Sequence, residues 1–451
     1  MKPKRTTSRN RLEEMIRTLR GDIAAGRYAE GDFLPSELEL CEQHSLSKNT
    51  VRKGLDVLVQ EGSIEKVPRI GAKVVGSRQT LPRAAVTLRF GYYSSLVHET
   101  DILRLVDRFN ETHDEIRVQP IPVSFPRSEQ LVEQYLREDI FDVLTVNLYD
   151  YEFMKGLLEP FEPFEEAYDF LNEPFIASNK QHVLPFVFTP VILCYNKDHF
   201  RERNVPEPHS GWTWDDLCEA GRKLAAGKER LGFYFHLMSE NRWPIFLLQN
   251  DVRFERNADG KLELNDLKMK SAAEACMRIV NDQFPSYLSQ NDSDAMSLFL
   301  NQKTSIVMAT YSFLNALRAA EFEYDLAPLP HLEHSRTMLV IIGLAVNKRS
   351  GQKAAAKTFV DFLMSYETQL YVRQQTLSLP SVKRAAEWTG PEVVKRPYRF
   401  HMYREIAHTF RRYSDLRLTA NELRALGDEL RYYWSQLESL DSILERIEHK
   451  L

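Results

Sequence analysis

Two folds in tandem are what this sequence predicts: a small α+β module over residues 9–76 and a larger α/β domain over 86–451, with 77–85 as the linker. Three observations carry the division. Short amphipathic helices followed by a strand pair fill the first 76 residues. From Val86 onward strands alternate with helices, the pattern of a sheet covered by crossover helices. Charge divides at the same place: residues 1–83 hold 16 Lys/Arg against 11 Asp/Glu, the rest 43 against 53, so a net charge of -5 hides a basic module suited to phosphate.

In the small module, Leu12, Met15, Ile16, Leu19 and Ile23 share one face of a helix ending near Gly26. Leu34-Pro35-Ser36-Glu37-Leu38-Glu39 opens a second helix, because Ser36 can cap it and Glu39, three residues on, can return the bond. His44-Ser45-Leu46 breaks that helix, and Ser47 caps a third running to about Gln60 and stopped by Gly62. Val51, Leu55 and Leu58 fall at i, i+4 and i+7 and face inward, which leaves Asn49, Arg52 and Lys53 pointing away. Ile64-Glu65-Lys66-Val67 and Ala72-Lys73-Val74-Val75 read as strands joined by Pro68-Arg69-Ile70-Gly71. The whole is a winged helix-turn-helix, and its expected partner is double-stranded DNA. Candidate contacts are Ser36 at a helix N-terminus, Lys48, Asn49, Thr50, Arg52 and Lys53 on the reading helix, and Arg69 with Gly71 at the wing.

These residues resemble the winged module of the GntR family of regulators. The matching positions are Gly26, Tyr28, Gly31-Asp32, Leu34-Pro35-Ser36-Glu37, Leu40, Ser47, Thr50-Val51-Arg52, Leu55, Leu58, Gly62 and Gly71. Two departures bear on sequence preference. Leu38 stands where the family usually has arginine, and Lys48 where it often has arginine, which keeps a charge but loses the planar fork that suits guanine.

Composition sets outer bounds. At 451 residues the chain holds two or three domains. No segment approaches the ~18 consecutive apolar residues of a membrane span, and the Arg- and Glu-studded first helix is not a signal peptide. Cys41, Cys194, Cys218 and Cys276 have no paired spacing and read as single thiols of a reducing, cytoplasmic protein.

In the larger domain Val86 to Tyr93 alternates as a strand, Ile102, Leu105, Val106 and Phe109 mark a helix, and Ile116 to Val123 is strand again. A helix from Ser128 to about Glu138 leads into the apolar run Phe141 to Val146, suited to a central parallel strand. Val183 to Phe188 and Val191 to Lys197 follow as strands, and Thr213-Trp214-Asp215-Asp216-Leu217 opens a helix whose acidic first turn favours the dipole. After residue 398 apolar stripes such as Leu423, Leu426 and Leu430 mark two or three closing helices.

The order of these segments resembles the extracellular solute-binding proteins of bacterial ABC transporters, sugar type. The quotable stretches are Phe141-Asp142-Val143 with Gly156-Leu157-Leu158-Glu159-Pro160, Leu184-Pro185, Tyr195-Asn196-Lys197-Asp198-His199-Phe200, and Pro208 with Thr213-Trp214-Asp215-Asp216-Leu217. Phe299 to Met308, Ala354 to Leu363 and Leu379-Pro380 extend the match. The resemblance implies a two-lobed α/β domain, periplasmic-binding-protein-like type II, closing on a ligand like a hinge. Behind a DNA-binding module it implies a transcription regulator that senses a small molecule, carbohydrate by family habit.

Loops at the carboxyl ends of strands are where such a ligand is expected. Tyr92, Tyr93 and Ser94, then Asn147 and Tyr149, then Phe188, Trp243, Tyr311 and Gly343 are the candidates. Aromatic faces stack on sugar C–H faces, amides bind hydroxyls, and a glycine lets backbone approach. Trp214 and Tyr195 are assigned to core. His401 and His408 have no third ligand nearby, so no metal is expected, and no G-x-S-x-G, H-E-x-x-H or Walker loop occurs. No cofactor or catalytic residue is expected. The alternative is an effector domain of the pyridoxal-phosphate aminotransferase kind, which would need a cofactor lysine and an aspartate in recognisable settings. A homodimer on a palindromic operator is the expected assembly.

Overall fold

The structure, a computed structural model, describes residues 8–24, 27–29, 31–60, 63–67, 70–75, 86–123, 129–258, 260–263, 267–284 and 289–448. The chain divides into two compact units, Met1–Val86 and Thr87–Leu451. The expected linker at 77–85 and the wing cation Arg69 lie outside the described residues.

In the first unit α1 (Ser8–Ala24), α2 (Glu37–His44) and α3 (Lys48–Gln60) precede an antiparallel pair, β1 (Ile64–Val67) and β2 (Gly71–Val74). The capping box forms: the Ser36 hydroxyl accepts from the Glu39 backbone N–H at 3.3 Å, and a Glu39 carboxylate oxygen accepts from the Ser36 N–H at 2.7 Å. Val51, Leu55 and Leu58 are buried with Met15, Leu19 and Leu40 in one core. Gly54 makes that core possible at close range, since a Cβ there would stand 2.3 Å from the Met15 methyl and 2.9 Å from Leu12 Cδ1. Residues 31–34 add a third edge to the wing, with Val74 N–H donating to Asp32 O at 2.8 Å and Leu34 N–H to Ala72 O at 2.9 Å.

The second unit is built on a ten-stranded mixed sheet. Its strands are β3 (Val86–Tyr93), β4 (Ile116–Val123), β5 (Val143–Asn147), β6 (Leu184–Asn196), β7 (Leu231–Tyr234), β8 (Thr304–Thr310), β9 (Tyr324–Ala327), β10 (Thr337–Val346), β11 (Leu379–Pro380) and β12 (Phe410–Arg411). The path runs β4-β3-β5-β10-β6-β8-β7, with β9 and β11 pairing to β6 and β12 to β10. The two lobes follow from register. The first half of β6 lies beside β10, which in turn pairs with β5, whereas Val191 to Tyr195 pairs with β8 and β9. All thirteen residues of β6 are buried. At ~3.3 Å per residue β6 is long enough to cross both lobes, and its pairing with β10 over one half and with β8 and β9 over the other makes it the strand they share.

One break in this crossover explains a candidate residue. The β6–β10 register shifts between Ile342 and Gly343. A Cβ at Gly343 would meet Val183 Cγ1 at 2.4 Å and Leu184 O at 2.7 Å. The glycine is required for strand-to-strand approach at a bulge, and the structure gives it that role instead of ligand approach.

Candidate functional site

The exposed face of α3 carries Lys48, Asn49, Arg52 and Lys53, with Thr50 half-buried. Ser47 starts the helix, its hydroxyl accepting from the Thr50 N–H at 3.3 Å and sharing a 2.8 Å hydrogen bond with the Thr50 hydroxyl. Arg52 is not free: its Nε–H donates to Glu37 Oε1 at 3.0 Å and Oε2 at 2.9 Å, while Lys48 Nζ lies 3.8 Å from the same carboxylate. The Arg52 hydrogen bond holds the Glu37 carboxyl below its usual range. Glu37 therefore orients Arg52 from the neighbouring helix, a role the sequence did not signal. Ser36 remains exposed at the start of α2, and Gly71, at φ +149°, begins β2 beside the ring of Phe33. Leu38, in place of a family arginine, is 66% exposed and offers no charge to phosphate.

In the second unit the expected ligand residues separate into two groups. Tyr92, Phe188, Trp243 and Tyr311 belong to the core. Tyr92 alternates onto the inner face of β3 beside Phe90. Phe188 meets the edges of Tyr168, Phe170 and Tyr403. The Tyr311 hydroxyl accepts from the buried Tyr403 N–H at 3.0 Å. Trp243 is 3% exposed, with its ring 5.6 Å from that of Trp434 and close against Gly427. Following a strand places a residue near a lobe edge, but the side chain's face depends on what packs behind it.

Tyr93, Asn147 and Tyr149 come together where the lobes meet, and Ser94 is exposed beside Tyr93. The Tyr93 hydroxyl donates to Asp150 and accepts from the Asn147 N–H at 2.9 Å. Asn147 caps α4 (Leu148–Met154) by accepting from the Asp150 N–H at 2.8 Å. From this helix Tyr149 reaches the other lobe, where its hydroxyl donates to Glu240 O at 3.0 Å. Its ring lies on that of Tyr413. Arg424 completes the seam, Nε–H donating to Glu240 Oε1 at 3.1 Å. Burial, reinforced by the neighbouring carboxylates, pushes the Tyr93 and Tyr149 hydroxyls well above the ordinary range, so both remain neutral donors. Burial also raises Asp150 against the opposing hydrogen bond from Tyr93.

A cavity of about 510 Å³ opens beside this seam, lined by Glu240, Asn241, Arg424 and Asp428 among others, and the buried Trp243, although packed in the core, also contributes to its wall. Its volume falls in the range of small-molecule pockets, and its walls mix carboxylate, amide and guanidinium groups that pair with hydroxyls. Asp150, Glu240, Asn241 and Arg424 were missed because they sit on helix starts and long loops whose charged residues look like ordinary surface. Among the described residues no group of three or more His, Cys, Asp or Glu side chains is placed to hold a metal ion. All four cysteines are free thiols. No described helix is long and apolar enough to cross a membrane.

The family model for bacterial extracellular solute-binding proteins matches residues 98–370, and that for bacterial regulatory proteins of the gntR family matches residues 12–74. Among curated relatives, the sn-glycerol-3-phosphate-binding periplasmic protein UgpB of Brucella abortus (strain 2308) is 24% identical over 221 residues, 46% of this chain and 50% of that protein. Its namesake from Escherichia coli (strain K12) is 22% identical over 227 residues, 47% and 52%. The chain thus spans about half the length of the curated relatives it matches. Among solved structures, the ABC substrate-binding protein Lmo0181 of Listeria monocytogenes in complex with cycloalternan aligns with a TM-score of 0.67 at 18% identity, covering 81% of this chain and 98% of that one. Maltose-bound MalE3 of T. maritima aligns at 0.68 and 18%, covering 81% and 99%. A Thermotoga lettingae TMO solute-binding protein bound with alpha-D-tagatose aligns at 0.69 and 14%, covering 81% and 98%. At these identities the likeness establishes the fold.

Proposed function

The chain belongs to the bacterial extracellular solute-binding protein family and carries a gntR-family regulatory module at its N-terminus, and from that premise we propose that it is a cytoplasmic transcription regulator whose two-lobed domain senses a sugar or oligosaccharide and so modulates operator binding. The observation that carries this reading is the pairing, in one chain, of an exposed cationic reading helix with a hinged domain whose interlobe seam is polar. The fold supports lobe closure as the sensing event, and the hydroxyl-pairing groups Glu240, Asn241 and Arg424 support a polyhydroxylated ligand. That the solved neighbours named above hold cycloalternan, maltose or tagatose favours the same class. The proposed contacts are Ser36, Lys48, Asn49, Thr50, Arg52, Lys53, Arg69 and Gly71 on DNA. For the effector they are Tyr93, Ser94, Asn147 and Tyr149 with the three seam residues. The protein acts without catalysis, as a homodimer on a palindromic site, because one winged helix covers little DNA.

Two measurements test this. Selection of binding sequences from random duplexes, followed by footprinting, yields a two-half-site operator. A thermal-shift screen over sugars yields one that stabilises the protein, a ligand at 100 times its dissociation constant adding ~2.7 kcal/mol. Failure to select any sequence sinks the regulator reading, and a flat sugar screen sinks the choice of effector alone.

A further inference from the structure

A second cavity, of about 560 Å³, shares no lining residue with the one beside the polar seam and is dominated by arginine. Arg253, Arg336, Arg411, Arg412 and Arg417 line it against only two carboxylates, Glu173 and Asp415. We propose that this cavity is a binding site for a compact polyanion, a phosphate group carrying two or more negative charges.

The partners of these arginines leave positive charge over. Arg411 donates from Nη1 to two backbone carbonyls, Phe410 O at 2.7 Å and His408 O at 3.2 Å, and no carboxylate among the described residues lies within ion-pair distance of it. Asp251 is shared by three cations, at 2.6 Å from Arg336, 3.6 Å from Arg253 and 3.9 Å from Lys268. Arg417 is ion-paired with Glu255, outside the cavity wall, and Arg412 sits 3.4 Å from Glu173 and 3.7 Å from Asp415, both long for a charged pair. Like charges gathered around one concavity repel, and an anion with several oxygens removes that repulsion while using the planar forks in pairs. A single carboxylate would satisfy one fork. A phosphate or diphosphate can satisfy several.

The walls also say what occupancy would do. Glu173 and Phe170 come from the first lobe, on the segment whose Phe170 ring packs edge-on against Phe188 of β6. Leu248, Val252 and Arg253 come from the helix after β7 in the second lobe and the turn that follows it. Between them stand Leu339 of β10 and Phe410 of β12, the two-residue strand paired with the start of β10. An anion there touches both lobes at the hinge, so it biases the lobe angle by its differential affinity for the two positions and is thereby coupled to the seam.

The test is calorimetric titration of the full chain with sodium pyrophosphate, against sodium chloride at matched ionic strength. One saturable site per chain is expected. Arg411→Ala and, separately, Arg253→Ala should each weaken it at least tenfold, Arg411→Lys should restore part of the loss, and Arg52→Ala on the DNA-reading helix should change nothing. Arg253 is more than half exposed, so its variant folds even if that of Arg411 does not. Inorganic phosphate and glucose 6-phosphate, run beside pyrophosphate, identify whether the group is taken free or as an ester. No saturable heat with any of the three, undiminished binding in both cavity variants, or binding lost with Arg52→Ala overturns the proposal.

Discussion

The rings of Tyr149 and Tyr413 lie face to face, centroids 4.3 Å apart and planes within 10°. Tyr149 stands on the first lobe, and Tyr413 lies on the segment returning from the hinge, where its hydroxyl donates to Glu152 at 2.7 Å. The stack carries the Tyr149 hydroxyl across to Glu240 in the second lobe. Tyr149→Phe keeps the stack and removes the hydroxyl's bond to Glu240 O together with its 3.5 Å contact to Asn241 Oδ1, so it should favour the open form by about 0.5–1.5 kcal/mol. Small-angle X-ray scattering would register this as a larger radius of gyration without ligand. An unchanged curve would mean the lobes are held by something other than this contact.

Arg424→Ala tests the seam from the ligand's side. The guanidinium lines the cavity and is held by Glu240. Its removal should lower the ligand-induced rise in melting temperature for the best sugar while leaving DNA affinity without ligand unchanged. A full ligand shift in this variant would place the effector elsewhere.

On the reading helix, Arg52→Ala should weaken operator binding by about 1–3 kcal/mol with the fold intact, since the side chain faces away from the buried stripe. Glu37→Ala should weaken it less, because the arginine survives but loses its orienting partner. Electrophoretic mobility shifts at one salt concentration decide the ranking, and equal losses would make Glu37 a DNA contact in its own right.

Trp243→Ala and Trp214→Ala should behave alike. Both rings are buried, Trp243 against Trp434 and Trp214 between Phe233 and Phe246 with its Nε1–H donating to Gln249 at 2.8 Å. Each truncation should cost ~3–5 kcal/mol in urea unfolding. A near-neutral Trp243→Ala would return that ring to the ligand.

Glu99 offers a pH-dependent measurement. Burial raises its carboxyl to about 7 against an opposing hydrogen bond from Ser95, and Oε2 has no partner among the described residues. The folded state therefore holds this proton more tightly than the unfolded chain. Its contribution is fully present below about pH 4.5 and is lost as pH rises to about 7. Glu99→Gln should gain stability relative to the parent across that window and hold a constant advantage above it. Parallel curves from pH 4 to 8 would remove Glu99 as the cause.

These comparisons show which features were legible in the residues. The capping box at Ser36 and Glu39, the Val51-Leu55-Leu58 stripe and the wing strands were readable because each is settled within a few residues. Strand positions in the larger domain were readable from local apolar runs, but Val183 to Phe188 and Val191 to Lys197, expected as two strands, are one continuous strand from Leu184 to Asn196. Which way Phe188 and Trp243 point was not, because Phe170 and Trp434 decide it from other parts of the chain. Gly343 looked like an opening for a ligand, and only the shifted register reveals the strand that fills it. Glu37 as the holder of Arg52 needed two helices in place, fifteen residues apart in sequence.

The crossover strands also set a timetable for synthesis. β5 finds its neighbour β10 only after roughly 190 further residues have been made, which at about 5–20 residues per second is a wait of roughly ten to forty seconds. Throughout that interval β5 presents an unpaired apolar edge, while the N-terminal unit, which ends at Val86, already has all of its residues. A nascent chain thus carries a finished gntR-family module before it has a finished solute-binding-type domain.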